Sequence, residues 1–189
     1  SSRLGGRNQE PDAAGFVDRW QAMARSAGLP GLYLVAEISD LLGAGPRYDR
    51  VEADGFDAGV YMRLPAVTTR SARLRMRLLR KGLGGPEVYT YSDHVMAEAR
   101  TGARVQPCVY PNWDNTPRSR RGGLALTGAT PERFRRNVSD AVASLAGRPA
   151  PERLLWVKSW NEWAEGNHLE PDLLHGRAWL EALRDGLGR

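Results

Sequence analysis

The chain has 189 residues, of which 41% are hydrophobic and 26% charged, as in ordinary soluble globular proteins with one hydrophobic core. It has no run of eighteen apolar residues, so the sequence predicts no transmembrane helix. The first residues lack the apolar segment of a signal peptide. The single cysteine, Cys108, excludes an intrachain disulfide and favours a reducing compartment, so we expect a cytoplasmic protein.

The formal net charge of +5 raises the question of a nucleic-acid partner. The densest basic segment, residues 70–81, carries five arginines and Lys81 among apolar residues. A basic helix there would hold phosphates, whereas the alternative is a solvated face in an arginine-rich chain. Excess charge by itself affects solubility and non-specific contacts. We therefore expect no specific nucleic-acid partner. Cysteine and histidine show no zinc-site spacing, and the sequence predicts neither a metal nor a cofactor.

The beginning of the chain predicts a linker, then a helix, then a strand. Residues 1–11 are polar and glycine-rich, so the folded domain is expected to span residues 12–189. Apolar residues recur at helical spacing from residue 12 to 27, with Asp12 as the N-cap and Gly28 as the stop. Residues 32–36 are an apolar run typical of a buried strand.

Strands and helices continue to alternate along the chain. Three further strands are predicted at residues 55–61, 105–110 and 154–159. Three further helices are predicted at residues 92–100, from Thr130 to about Gly147, and at 178–183. The second of these has a strong start, because a hydroxyl cap, a proline and an acidic residue follow one another from Thr130.

This alternation indicates an α/β fold with a parallel sheet. Polar loops follow the strands at their C-terminal ends, as in (β/α)8 barrels, whose chemistry lies on those loops. A complete barrel needs about 250 residues, so four strands predict the C-terminal portion of one, with about four β/α units. The alternative is an open four-stranded sheet.

The strongest functional signal follows the fourth strand, where Glu162 and Glu165 stand three residues apart. If the strand ends there and a helical turn begins, both carboxylates face the same way, and Gly166 permits the close turn that follows. Two neighbouring carboxylates repel each other as anions, so one of them can keep its proton near neutral pH. Glycosidic-bond chemistry uses this arrangement. The alternative is a charged surface turn.

The residues around this pair are suited to sugar binding. Trp160 and Trp163 offer flat apolar faces for sugar rings, Asn161 can bond a hydroxyl, and His168 can donate to one or support a neighbour. Glu37 ends the first strand. It is expected either to line the opening of the barrel beside Glu162 and Glu165 or to cap a helix.

A second group of polar residues follows the third strand, at Trp113, Asp114, Asn115 and Arg118. An exposed loop with these side chains could bind a polyol, and the C-terminal end of a strand favours such a role. The alternative is an Asx-turn followed by a rigid proline bend. Since both motifs follow predicted parallel strands, we expect Trp113, Asp114 and Asn115 to lie at the same edge of the sheet as Glu162 and Glu165.

The segments 113–118 and 160–172 resemble the WbsX family, the glycosyltransferases of lipopolysaccharide and other surface-polysaccharide synthesis, which are related to glycoside hydrolase family 99, the endo-α-mannosidase group. Shorter matches lie at residues 27–34, 55–58 and 130–134. The resemblance implies a (β/α)8 barrel whose N-terminal half precedes this chain. It also implies an oligo- or polysaccharide substrate, with an activated sugar donor if the reaction is a transfer.

The resemblance also implies roles for the two glutamates. Glu162 would act as the base on the sugar 2-hydroxyl, which attacks the anomeric carbon to give an anhydro-sugar. Glu165 would protonate the leaving group and then deprotonate the acceptor. This differs from the carboxylate nucleophile that retaining enzymes commonly use. A competing hypothesis is a non-catalytic carbohydrate-binding fragment or pseudoenzyme that stacks sugars on Trp113, Trp160 and Trp163.

Overall fold

The computed structural model describes residues 12–37, 48–60, 62, 85–91 and 104–188. The predicted linker at residues 1–11, the basic segment 70–81 and the predicted helix 92–100 lie outside these ranges. The helices are α1 (Ala13–Ser26), α2 (Tyr48–Ala53), α3 (Thr116–Ser119), α4 (Pro131–Ser144) and α5 (Ala178–Gly186). The strands are β1 (Val35–Glu37), β2 (Ala58–Val60), β3 (Glu87–Thr90), β4 (Val105–Gln106), β5 (Cys108–Val109), β6 (Leu124–Thr127), β7 (Trp156–Val157), β8 (Asn161–Glu162) and β9 (Asn167–His168). Single 3-10 turns lie at Arg120–Gly122, Ala150–Glu152 and Trp163–Glu165.

The strands predicted from the sequence pair in parallel and in chain order. Strand β1 pairs with β2, and β2 pairs with β4. Strand β5, which only Pro107 separates from β4, pairs with β7. The order is therefore β1, β2, β4 with β5, then β7, and the C-terminal ends of these strands share one edge.

This arrangement confirms the α/β class, while the strands are shorter than expected. The described residues form no closed barrel. Two pairings were not anticipated by the sequence reading: the parallel pair β3–β6 and the antiparallel hairpin β8–β9. Among the described residues, no helix is both long and apolar enough to cross a membrane.

Helices α1, α4 and α5 begin close to where the sequence predicts, whereas α2 and α3 were not predicted. The Asp12 carboxylate accepts a hydrogen bond from the Gly15 N–H at 2.9 Å and caps α1. The Thr130 hydroxyl accepts one from the Arg133 N–H at 3.3 Å and caps α4, in which proline takes the first position. Each cap provides a partner for a backbone N–H that the helix cannot satisfy internally.

One apolar cluster packs α4 and α5 against strand β5. The rings of Phe134 and Trp179 meet edge to face with centroids 5.9 Å apart. The buried members of the cluster are Val109, Phe134, Val138, Ala141, Leu169, Trp179 and Ala182. Val109 is the last residue of β5, and Leu169 directly follows β9. This core therefore includes one residue next to the loop that follows β5 and one next to the hairpin β8–β9.

A second apolar cluster lies under the loop that follows β5. It contains Tyr91, Tyr110, Trp113 and Leu126. The Tyr91 hydroxyl donates to the Tyr110 carbonyl at 2.5 Å. Burial raises the pKa of Tyr91 well above its ordinary value. The pair β3–β6 thus supplies one wall of this cluster.

The contact between α4 and α5 gives a stability prediction. A Cβ added at Gly186 would lie 2.7 Å from the Val138 Cβ and 2.9 Å from the Arg135 carbonyl. We expect Gly186→Ala to lower the free energy of unfolding by about 1–2 kcal/mol. Overpacking costs about 1–3 kcal/mol, and the higher helix propensity of alanine offsets part of this cost. Gly122→Ala is the matched control, because nothing lies within 4 Å of its Cβ position. Equal melting temperatures for the two variants would contradict the close packing.

Candidate active site

The loops that follow β5 and β7 meet each other. The Asp114 N–H donates to the Glu165 carbonyl at 2.8 Å. The Arg118 guanidinium lies 3.8 Å from the Glu165 carboxylate. This confirms the expectation that residues 113–115 lie at the same edge of the sheet as Glu162 and Glu165.

The backbone after β7 folds as the spacing of the glutamates suggests. The chain passes through Glu162 at the end of β8 and enters the 3-10 turn Trp163–Glu165. Gly166 ends this turn in the left-handed conformation, with φ of 56°. A 3-10 turn has three residues per turn, so Glu162 and Glu165 flank a single tight turn of backbone.

Ser159 and Asn167 hold the base of this turn. The Ser159 N–H donates to the Asn167 side-chain carbonyl, and the Ser159 hydroxyl donates to the Asn167 backbone carbonyl, both at 2.8 Å. The same hydroxyl accepts from the Glu162 N–H at 3.1 Å. Asn167 is fully buried. These bonds fix the backbone on both sides of Glu162.

The polar residues after β5 are used mainly by the backbone. The Asp114 carboxylate accepts from the Thr116 N–H at 2.9 Å and from the Thr116 hydroxyl at 2.6 Å. The Asn115 side-chain carbonyl accepts from the Leu124 N–H at 2.7 Å. This is the Asx-turn alternative, and it shapes the loop that carries Arg118.

The three tryptophans of the candidate site differ in exposure. Trp113 is only 7% exposed, so the expectation of an exposed loop is wrong for this residue. It packs edge to face on Tyr110, and the Lys158 ammonium lies 5.2 Å from its ring centroid. Trp160 and Trp163 are 54% and 50% exposed. They are the aromatic side chains that solvent can reach beside the glutamates.

His168 supports neighbouring groups. Its ring stacks on Trp163 with centroids 3.7 Å apart, and its Nε2 lies 3.2 Å from an Asp172 carboxylate oxygen. The other carboxylate oxygen of Asp172 accepts from the N–H groups of Leu174 and His175. Asn161 is exposed on β8 opposite His168, and Glu37 is exposed at the end of β1.

The pKa of Asp172 lies below its ordinary value of 3.8. Burial acts in the opposite direction, but the hydrogen bonds from the His175 N–H, the His168 ring and the Leu174 N–H together outweigh it. Sequence reasoning did not single out Asp172 or Glu170. The sequence could have pointed to these two residues, because both lie within four positions of His168. At that separation, side chains can contact each other when the chain turns.

A family model described as glycosyltransferase WbsX matches residues 7–183 of this chain. The chain belongs to the WbsX glycosyltransferase family. Among its relatives are proteins described as uncharacterized protein WxcX from two strains of Xanthomonas campestris pv. campestris, 32% identical over 183 residues. The match covers 95% of this chain and 25% of each relative, so the chain spans about a quarter of their length.

The fold resembles that of a solved structure described as a glycoside hydrolase-like protein. The TM-score is 0.55 at 18% sequence identity, over 94% of this chain and 50% of the other. At this identity the likeness concerns the fold. No group of histidine, cysteine, aspartate and glutamate within the described ranges is arranged to hold a metal ion.

The close approach of the two loops gives a second prediction. A Cβ on Gly166 would lie 3.0 Å from both the backbone N and O of Asp114, in a left-handed residue. Gly166→Ala should therefore cost more than the roughly 1–2 kcal/mol of left-handed strain alone. Gly176→Ala is the control, because Gly176 has φ of 54° and nothing within 4 Å of its Cβ position. Chemical denaturation of both variants measures the difference, and equal losses would contradict a tight contact at Gly166.

The depressed pKa of Asp172 gives a pH prediction. A carboxylate with a lower pKa in the folded state stabilises the fold above its unfolded pKa, and this contribution disappears as the pH falls through the folded value. Asp172→Asn should therefore destabilise the protein at neutral pH. The difference from the wild type should shrink when the pH is brought below 3.8. Unfolding free energies at both pH values check this, and a difference that grows in acid would contradict it.

Proposed function

We propose that this chain carries the catalytic carboxylates of an enzyme acting on glycosidic bonds in polysaccharide or lipopolysaccharide metabolism, with Glu162 and Glu165 as the pair. The contact at Glu165 carries this proposal: its carbonyl receives the Asp114 N–H, and its carboxylate faces Arg118. Two loops from distant parts of the chain thus converge on one acidic residue. Such convergence at the C-terminal edge of parallel strands is where α/β enzymes place their chemistry.

The tight turn supports a paired role for the carboxylates. Glu162 begins the turn, Glu165 ends it, and the bonds of Ser159 fix its base. The Glu165 side chain is 22% exposed, so it is sheltered but open to a substrate. Arg118 restricts the carboxylate from one side. Because an exposed pair of this kind contributes little to stability, we interpret the contact as one that orients Glu165.

In the proposed reaction, Glu162 removes the proton of the sugar 2-hydroxyl, and that oxygen attacks the anomeric carbon. The bond from this carbon to the leaving group breaks, and Glu165 supplies the proton that the leaving oxygen needs. The product of this step is a 1,2-anhydro-sugar. An acceptor hydroxyl then loses its proton to Glu165 and opens the anhydro ring, whose oxygen takes back the proton held by Glu162. Water as the acceptor gives hydrolysis, and a sugar hydroxyl gives transfer.

The substrate contacts proposed here follow the exposure of the side chains. Trp160 and Trp163 are half exposed and suited to stacking against pyranose rings. Asn161 and Arg118 are exposed donors for sugar hydroxyls. We assign Trp113 to the support of the loop, because the ring is buried.

The relatives of this chain are longer than the chain itself, so we expect other parts of the intact protein to contribute to its activity. The chain covers half of the glycoside hydrolase-like structure and a quarter of the curated relatives. We propose that it forms the C-terminal portion of a (β/α)8 barrel, in which the barrel strands are β1, β2, β4 together with β5, and β7. Residues that complete the substrate site are then supplied by other barrel strands of the intact protein.

Two amide substitutions in the intact protein test the roles. Glu165→Gln should abolish turnover of ordinary glycosides but partly spare substrates with an activated leaving group, which needs little protonation. Glu162→Gln should impair turnover of both ordinary glycosides and substrates with an activated leaving group. Each loss should reach about 10²–10⁴-fold. The measurement is the rate of each variant on glycosides of graded leaving-group acidity, with product analysis to distinguish hydrolysis from transfer.

The exposed Glu181 on α5 provides the control, and Glu181→Gln should leave the rates unchanged. If Glu162→Gln shows the rescue instead, the pair is catalytic with its roles reversed. If both variants keep normal rates, the two glutamates are structural and the proposed roles are wrong. If the intact protein binds saccharides but turns over none of the glycosides, a carbohydrate-binding module replaces the enzyme. The half-exposed Trp160 and Trp163 favour that second candidate.

A further inference from the structure

An open groove of about 650 Å³ lies beside the turn that carries Glu165, and Trp163 forms part of its wall. The other residues that line the groove are Asn112, His168, residues 171–175 and Trp179. Grooves of this volume hold small ligands. The reaction proposed above uses neither residues 171–175 nor Asn112, so the groove requires its own explanation.

Trp163 is fixed in this groove from two directions although half of its side chain is exposed. The His168 ring covers one face of the indole, with centroids 3.7 Å apart and planes 18° from parallel. The indole N–H donates to the Glu170 carboxylate at 2.6 Å. With one face and the polar edge engaged, the ring can offer its other face to a ligand.

The groups that hold Trp163 are themselves anchored. His168 contacts Asp172 at 3.2 Å, and their side chains are only 13% and 12% exposed. Leu169 lies between His168 and Glu170 and is buried in the α4–α5 core. The Glu170 N–H donates to the Trp160 carbonyl at 3.1 Å. An aromatic ring fixed in this way loses little further rotamer freedom when a ligand binds, which improves affinity.

We propose that Glu170 and the His168–Asp172 pair are positioning residues that hold Trp163, so that its uncovered face receives a sugar ring of the substrate in this groove. The inference rests on the proposed function, since it assigns the groove to the same saccharide. Stacking on a polar-edged indole face suits a pyranose ring, which has an apolar C–H face and polar hydroxyls around it.

The position of Trp163 can be followed directly in the intact protein labelled with 5-fluorotryptophan. Its ¹⁹F resonance is assigned by its loss in Trp163→Phe. Glu170→Ala and Asp172→Ala should shift or broaden this resonance, because the ring loses its edge or its backing. Glu170→Gln should keep the resonance in place, since the amide oxygen still accepts the indole N–H. Glu181→Ala, on the exposed side of α5, controls for the loss of a carboxylate elsewhere.

Saccharide binding is measured on the same samples with a panel of methyl disaccharides of mannose, glucose, galactose and rhamnose. A ligand that shifts the Trp163 resonance should bind about three- to tenfold more weakly to Glu170→Ala, as expected for one lost stacking contact. Glu170→Gln should restore the affinity. On a turned-over substrate, KM should rise in Glu170→Ala while kcat changes little.

An unchanged Trp163 resonance in Glu170→Ala overturns the inference. A shifted resonance with unchanged saccharide affinity, or a panel in which no saccharide moves the resonance, also overturns it, because the ring would then be held for folding alone. The proposed function fails differently, through normal turnover by Glu162→Gln and Glu165→Gln. In that case a loss of affinity in Glu170→Ala would still support the groove as a sugar site.

Discussion

The hydrogen bond from the Asp114 N–H to the Glu165 carbonyl sets the geometry of the whole candidate site. It joins the loop after β5 to the turn after β7. Gly166 allows this close approach, because a Cβ there would lie 3.0 Å from the backbone N and O of Asp114. Buried or sheltered backbone groups need partners, so this contact both satisfies the chain and fixes the edge at which chemistry would occur.

The contact persists because each loop is tied to a different apolar cluster. The loop after β5 is anchored by Trp113, which packs with Tyr91, Tyr110 and Leu126. The segment after β9 is anchored by Leu169, which packs with helices α4 and α5. Parallel pairing of β5 with β7 brings the two anchors to the same edge. The site therefore depends on packing that lies behind it.

The sequence predicted the elements whose signals are local. Asp12 and Thr130 cap the helices that they were expected to start, and the four apolar runs overlap β1, β2, β4 with β5, and β7. The loops after two neighbouring strands were therefore expected to meet. The pair β3–β6 was missed because its pairing is long-range and its strands lack a distinctive pattern. That omission explains the error at Trp113, since the missed pair supplies Leu126 to the cluster that buries the ring.

Residue type alone could not separate structural from chemical roles in these motifs, because the backbone decides which polar side chains it uses. Loops of irregular backbone leave N–H groups that short polar side chains satisfy. Asp114, Asn115, Asn167 and Asp172 each accept from a backbone N–H group. The side chains that remain for a ligand are the longer or aromatic ones at the turn. A glutamate reaches farther from the main chain than an aspartate does, so a motif with both can use the shorter acid for shape and the longer one for chemistry.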